Sequence, residues 1–149
     1  MWTLERFEVS ATVGRPVEQV WAAHEDVRLL ERISPPFPAV RVVDPPTRCA
    51  EGTRFTVHLE ILPQAPGIDW LVEIVSWEAP RRFIDRQVRG PFTHWEHIHQ
   101  FSPLTDDSTL IVESIRFEFN PLLDAALVRP ALDWMFQWRM RNLVAALEG

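Results

Sequence analysis

The longest stretch of alternating hydrophobic and polar residues lies between positions 53 and 119. In its first part Phe55, Val57, Leu59 and Ile61 alternate with polar residues, as expected of a strand with one buried and one exposed face. Turn-forming residues separate this part from further strands, which we place at 70–75, 83–88, 94–101 and 109–119. Because the connections are too short for crossover helices, the pattern predicts an antiparallel meander.

The residues before this meander predict a strand and two short helices. Residues 2–12 mix β-branched and aromatic residues with polar ones, which favours an opening strand. Pro16 is well placed to begin a short helix through 17–22, and a second is expected at 27–33. The proline-rich segment that follows imposes extended chain before a strand at 40–43.

The C-terminal segment predicts one long amphipathic helix. Asn120 is a plausible N-cap with Pro121 at the first helical position, and the helix is expected to run to Gly149 with a kink or break at Pro130. Three polar residues mark its outer stripe, and five apolar residues mark its buried face: Asp133, Gln137 and Arg141; Val128, Leu132, Met135, Leu143 and Ala146. The element order therefore predicts a single α+β domain over 1–149, with an antiparallel sheet covered by one helix.

Composition narrows the possible functions. The chain of 149 residues has a net charge of −6, and its 15 positive residues are scattered arginines, so nucleic acid is not expected as a partner. No apolar run reaches the roughly 18 residues that span a bilayer, and the charged start is unlike a signal peptide, so we expect a cytoplasmic protein without an integral membrane segment. The single Cys49 allows no internal disulfide, and no base is predicted beside it.

Polar residues fall on faces that should otherwise be buried. Alternation places His97 and His99 on the same face as Trp95 and Phe101, and Glu113 on the face of several large apolar residues. On the long helix, Arg139 occupies an apolar-face position. Because a buried guanidinium without a partner is costly, we expect an ion pair, first with Glu113 and otherwise with Asp85 or a ligand anion.

Several segments in this order are similar to the START/SRPBCC superfamily, which has the helix-grip fold. They are PVEQVW at 16–21, ISPPF at 33–37, WEAPRRF at 77–83, GPF at 90–92 followed by WEHIHQF at 95–101, and FQWR at 136–139. Within the superfamily the chain resembles bacterial proteins labelled polyketide cyclase/dehydrase-like or simply ligand-binding. The resemblance implies a curved antiparallel sheet of six to seven strands around the C-terminal helix, with a cavity between them, and it does not imply one activity.

The favoured function is non-catalytic binding of a small hydrophobic or amphipathic, lipid- or polyketide-like ligand, which enters past residues 33–37. Binding pockets combine aromatic walls with a few polar atoms. The expected ligand-binding residues are Trp70, Trp95, His97, His99, Glu113, Phe117, Met135 and Arg139, with Phe55, Trp134 and Trp138 as further candidate walls. The same polar residues would also serve as a structural ion pair with hydrogen-bonded histidines that fixes the helix against the sheet.

Two further functions stay open. One is a polyketide-type cyclase or dehydrase with His97 or His99 as general acid and base and Arg139 polarising a carbonyl or enolate. The other is a docking protein or homodimer that uses an exposed patch at Trp2, Phe37 or Phe92.

We expect no cofactor and no metal ion. The alternative is a metal site in which Glu113 completes the His97-x-His99 pair. Of the other histidines, His24 and His58 are expected at the surface, and His94 with Glu96 as a solvated pair on the outer face.

Overall fold

The computed structural model describes residues 4–60, 62–119 and 125–149, and for residues 125–127 it describes the backbone alone. The elements in chain order are β1 (Glu5–Val13), α1 (Val17–His24), α2 (Leu29–Ile33), β2 (Ala39–Val43), β3 (Arg54–Glu60), β4 (Ile68–Glu78), β5 (Arg82–Arg89), β6 (His94–Thr105), β7 (Ser108–Glu118) and α3 (Ala125–Glu148). Each predicted strand and helix is present, with α2 shorter and β4 longer than expected. The predicted cap at Asn120 and Pro121, and the residues Trp2 and Ile61, lie outside the described residues.

The seven strands form one sheet in the order β1-β7-β6-β5-β4-β3-β2, and all neighbours are antiparallel. Strands β2 to β7 are the predicted meander, and β1 closes the far edge beside β7. The chain between β1 and β2, which contains α1 and α2, therefore crosses from one edge of the sheet to the other. This arrangement confirms the predicted α+β fold of a curved antiparallel sheet with two short helices and a C-terminal helix.

Helix α3 covers the sheet and contacts both β1 and α2. Its buried face contains Leu132, Met135, Phe136, Met140 and Leu143. The helix continues through Pro130 as one element, so the expected break into two pieces is not found. Ala146 is exposed, contrary to expectation, because the face that packs on the core continues from Met140 and Leu143 to Val144 and Leu147. In the described ranges no helix is both long and apolar enough to cross a membrane.

Pairing with β6 decides which face of β5 points inward. Phe83 lies opposite His99 and Asp85 lies opposite His97 in a regular register, so they share the inward face of these histidines. The pairing of β5 with β4, in contrast, shifts between Leu71 and Val72 and again between Ile74 and Ser76. Alternation alone leaves the facing of residues 83–88 ambiguous, and a shift of one residue exchanges the two faces of a strand. In the structure Phe83 is buried, and Asp85 lines the same interior space.

Candidate functional site

A cavity of about 130 Å³ lies between the sheet and the helices. Most of its wall is apolar and comes from strands β3 to β6, from α2 and from α3. Its phenylalanine and tryptophan members are Phe55, Trp70, Phe83, Trp95 and Phe136. Trp70 and Trp95 meet edge to face, with ring centroids 4.7 Å apart. The volume is close to the roughly 150 Å³ of an engineered protein cavity that holds benzene, and it is below the ~300 Å³ at which pockets for larger ligands begin.

Four polar residues on three neighbouring strands form the polar part of the wall that the sheet contributes to the cavity. The sheet register sets Asp85 of β5 beside His97 of β6, and His99 of β6 beside Glu113 of β7. Each imidazole bonds to the carboxylate diagonal to it: His97 Nε2 lies 2.6 Å from Glu113 Oε1, and His99 Nε2 lies 2.8 Å from Asp85 Oδ2. The two rings stack with centroids 3.8 Å apart. These four side chains form one connected cluster, which we call the histidine–carboxylate box.

Glu113 is ionised at neutral pH. Burial alone would raise the pKa of its carboxyl, but the hydrogen bond from His97 and the nearby imidazoles lower that pKa to about 2. An ionised carboxylate only accepts hydrogen bonds, so His97 Nε2 donates to it. The other ring nitrogen of His97, Nδ1, lies 3.8 Å from Asp85 Oδ2, which is beyond hydrogen-bond distance.

His99 is buried and has one ring nitrogen without a partner. Burial, and next the neighbouring His97, lower the pKa of His99 and favour its neutral form. Within the described residues its Nδ1 makes no hydrogen bond, although Glu113 Oε1 is 3.5 Å away. Buried polar atoms without partners are rare in proteins, so this nitrogen calls for an explanation.

Arg139 enters the cavity wall from α3. Its Nε donates to Ser34 Oγ at 3.1 Å, and its guanidinium lies 5.1 Å from the centre of the Phe136 ring. Burial lowers the pKa of Arg139 to about 10, while Glu113 and Asp85 act in the opposite direction, so the group stays charged at neutral pH. The expected direct ion pair between Arg139 and Glu113 is wrong, since His97 occupies that carboxylate and the cavity separates α3 from it.

His24 belongs to the cavity wall, so the prediction that it lies at the surface is wrong. Its Nδ1 donates to the Val20 carbonyl at 2.8 Å, and its ring lies 4.8 Å from Phe101 and 6.2 Å from His99, centre to centre. Burial, followed by the proximity of His99, lowers the pKa of His24 to about 4. The spacing of Val17, Val20, Trp21 and His24 along α1 is a helical face, and this signal was available in the sequence.

The other candidate wall residues divide into those at the cavity and those away from it. Phe55, Trp70 and Trp95 line it, as do His97, His99, Glu113 and Arg139. Phe117 and Met135 are buried in the core and do not line it. Trp134 is 50% exposed and Trp138 lies on a different face, so neither forms a wall. Sequence reasoning did not single out Phe136, and it named Asp85 only as a partner for Arg139.

Polar residues outside the box make other contacts. His58 bonds to Asp69 at 2.7 Å on the outer side of the sheet. Glu96 pairs with Arg86 at 2.9 Å and with Arg116 at 3.7 Å, and these contacts replace the expected pair with His94.

Cys49 and the candidate docking patch are also placed by the structure. Cys49 lines the cavity with a thiol whose pKa burial raises to about 11, so it stays protonated. Phe37 is 55% exposed, whereas Phe92 packs on Trp70 and Trp95 and is not part of an exposed patch.

Solved structures share this fold across nearly the whole chain. The Zhui aromatase/cyclase from Streptomyces sp. R1128 superimposes with a TM-score of 0.75 at 17% identity, covering 98% of this chain and 94% of that one. A START superfamily protein from Mycobacterium smegmatis gives 0.72 at 14% identity, covering 96% and 97%. Norcoclaurine synthase from Thalictrum flavum, solved with dopamine and hydroxybenzaldehyde, gives 0.70 at 12% identity, covering 98% and 87%. These likenesses show the helix-grip fold.

The sequence itself also matches a family. Among curated proteins no relative matches the chain. Residues 13–144 match the family described as "Polyketide cyclase / dehydrase and lipid transport", which covers most of the chain. This protein therefore belongs to the polyketide cyclase/dehydrase and lipid transport family, as its sequence resemblance indicated.

Proposed function

We propose that this protein binds a small, mostly apolar molecule that carries an oxygen acceptor at one end. The observation that carries the proposal is the state of Arg139. Its half-buried side chain carries a charged guanidinium that lines an apolar cavity, and in the described part of the chain its one hydrogen bond is from Nε to Ser34. The terminal nitrogens of an arginine present donors in a planar fork, which suits a carboxylate, carbonyl or phenolate oxygen.

The size of the cavity supports a ligand of about one ring. A volume of about 130 Å³ is close to that of the cavity that holds benzene, so it suits one ring and is too small for an extended acyl chain in this conformation. The aromatic walls at Trp70, Trp95 and Phe55 provide flat apolar contacts for such a ring. The norcoclaurine synthase structure, whose bound compounds are single-ring phenols and aldehydes, is in line with this size class.

Calorimetric titration tests the proposal with four probes: benzoate, 4-hydroxybenzaldehyde, benzene and decanoate. We expect the two oxygen-bearing aromatics to bind. Loss of a hydrogen bond to a charged group costs about 1.5–3 kcal/mol, so Arg139→Met should weaken benzoate binding roughly 10- to 100-fold and leave benzene binding nearly unchanged. Arg141→Met is the matched control, because Arg141 lies on the exposed side of the same helix.

A blocking variant gives an independent test of the location. Val72 lines the cavity from β4, and Val72→Phe should fill it and abolish binding, whereas Val88→Phe at an exposed position should not. Failure of all four probes to bind, or equal affinities for wild type and Arg139→Met, would contradict the proposal.

A second candidate function is proton transfer on the bound molecule, in the manner of a cyclase or dehydrase. The observation that favours it is the Glu113–His97 pair, in which a carboxylate holds one imidazole nitrogen at 2.6 Å and leaves Nδ1 without a protein partner at hydrogen-bond distance in the described ranges. An imidazole oriented in this way is a competent general base, and Arg139 would stabilise the enolate that forms. His97→Gln should then abolish turnover and largely preserve affinity, whereas a loss of affinity alone would favour binding without catalysis.

A further inference from the structure

Each imidazole of the histidine–carboxylate box uses only one of its two ring nitrogens in a hydrogen bond. His97 Nε2 bonds to Glu113 and His99 Nε2 bonds to Asp85. The two Nδ1 atoms lie 3.8 Å and 3.5 Å from oxygens of Asp85 and Glu113, and within the described residues neither makes a hydrogen bond.

The four ring nitrogens of His97 and His99 lie on two opposite edges of the imidazole stack. His97 Nδ1 and His99 Nε2 lie on the edge that faces Asp85, while His97 Nε2 and His99 Nδ1 lie on the edge that faces Glu113. On the Asp85 edge three possible metal-ligand atoms, two ring nitrogens and one carboxylate oxygen of Asp85, all lie within 4.8 Å of one another. Metal bonds of about 2.0–2.2 Å at tetrahedral or octahedral angles place ligand atoms about 3.0–3.5 Å apart, so small side-chain rotations suffice to close the set.

We propose that Asp85 Oδ2, His97 Nδ1 and His99 Nε2 bind one divalent first-row transition-metal ion, such as Zn²⁺ or Fe²⁺, in the wall of the cavity. Two imidazoles and one carboxylate on one side of an ion form the donor set that such metals favour, and they leave further positions open. The sequence led us to expect no metal ion. The alternative site suggested by the sequence had Glu113 as its carboxylate ligand, whereas the site proposed here has Asp85.

Glu113 completes the site as the outer partner of both imidazoles. Metal-bound histidines usually donate their second N–H to a carboxylate, which fixes the ring and its tautomer. When the ion takes His99 Nε2, the proton of His99 moves to Nδ1, which then donates to Glu113 Oε1, now 3.5 Å away. The nitrogen without a partner in the metal-free protein acquires one in this way, and His97 Nε2 already bonds to the same oxygen.

The open positions of the ion would face the same cavity that Arg139 lines. An oxygen of a bound molecule would there meet a metal ion and a guanidinium together. The metal site stands on the box alone and does not depend on which organic molecule binds.

Equilibrium dialysis and calorimetry with the metal alone test the proposal. Chelator-treated protein titrated with Zn²⁺ should bind one ion per chain, and Co²⁺ should give visible d–d absorption bands that report nitrogen and oxygen ligands. Saturating Zn²⁺, at about 100 times its dissociation constant, should raise the midpoint of thermal unfolding by roughly 5–10 °C.

Variants locate the ion. Asp85→Asn keeps an acceptor for His99 but removes the charged ligand, so it should abolish the Co²⁺ bands, as should His99→Gln. Glu113→Gln should weaken binding about 10- to 100-fold without abolishing it. His58→Gln is the matched control, because it removes the other histidine–carboxylate pair, at 2.7 Å on the outer side of the sheet, and should bind like wild type.

The absence of stoichiometric binding by the wild type would overturn the proposal, whether or not the variants fold. Binding that persists in both Asp85→Asn and His99→Gln would overturn it as well, since the ion would then lie elsewhere. Because no organic ligand is present, neither result bears on the ligand binding proposed above. An ion on His97 Nδ1 would exclude that nitrogen as the general base of the second candidate function.

Discussion

Replacing His24 with phenylalanine is expected to prevent much of the loss of stability that the metal-free protein undergoes between pH 7 and about pH 4. Burial and the nearby His99 lower the pKa of His24 from 6.5 to about 4. Between these values the unfolded chain binds a proton that the folded protein does not, so the free energy of unfolding falls as the pH falls. At about 1.4 kcal/mol per pH unit the full effect is about 3 kcal/mol, which partial exposure of the side chain reduces to about 2 kcal/mol.

Urea unfolding followed by circular dichroism at several pH values, with chelator present, measures this effect. The phenyl ring of His24→Phe can keep the contacts with Phe101 and Phe83, whose centres lie 4.8 and 5.8 Å from the imidazole. Val20→Ala is the control, because it makes a hole under the same helix and should lower stability equally at every pH. If His24→Phe loses as much stability on acidification as the wild type, the buried imidazole is not the group responsible.

Four further outcomes are expected. The pKa of Glu113 is about 2 in the folded protein against 4.5 in the unfolded chain, so its contribution to stability is complete above about pH 5 and is lost as the pH falls toward 2. Glu113→Gln should therefore be less stable than the wild type at neutral pH by about 2–3 kcal/mol, and its stability should not show this decline in an acid titration. Phe136→Ala should cost about 3–5 kcal/mol in urea unfolding, because the ring is 1% exposed between sheet and helix. Trp134→Ser should change stability by no more than about 0.5 kcal/mol and leave benzoate affinity unaltered, because this side chain is half exposed and away from the cavity. Cys49 should react with a thiol reagent at pH 8 far more slowly in the folded protein than in urea, because burial raises the pKa of its thiol to about 11.

The inward facing of the box residues on β6 and β7 was predictable from the sequence. Side chains alternate strictly along a regular strand, so the apolar neighbours of His97, His99 and Glu113 indicated which face is buried. The structure buries all three. On β5 the same reasoning had no answer for Asp85, because both faces of residues 83–88 mix apolar and polar residues. The pairing of Asp85 with His97 of β6 decides its facing, and this pairing is a property of two strands and not of one.

The partners of the buried charges were not predictable in the same way. Arg139 was expected to pair with Glu113, yet the carboxylate bonds to His97 and the guanidinium bonds to Ser34. The position of Arg139 on the inward face of α3 was evident from the spacing of the apolar residues along the helix. The distance between the helix and the sheet was not evident from the sequence. That distance depends on how the side chains of both layers pack, and the cavity between them keeps the two charges apart.

The amino-acid sequence by itself determined the elements, their order, the fold and most of the buried faces, because these follow from periodicities within short segments of chain. Only the tertiary structure decided that Asp85, His97, His99 and Glu113 form one box, that His24 and Arg139 join the same cavity, and that this cavity is left open. The physical reason is that contacts between strands and across layers depend on register, bulges and packing, which involve residues far apart in the chain.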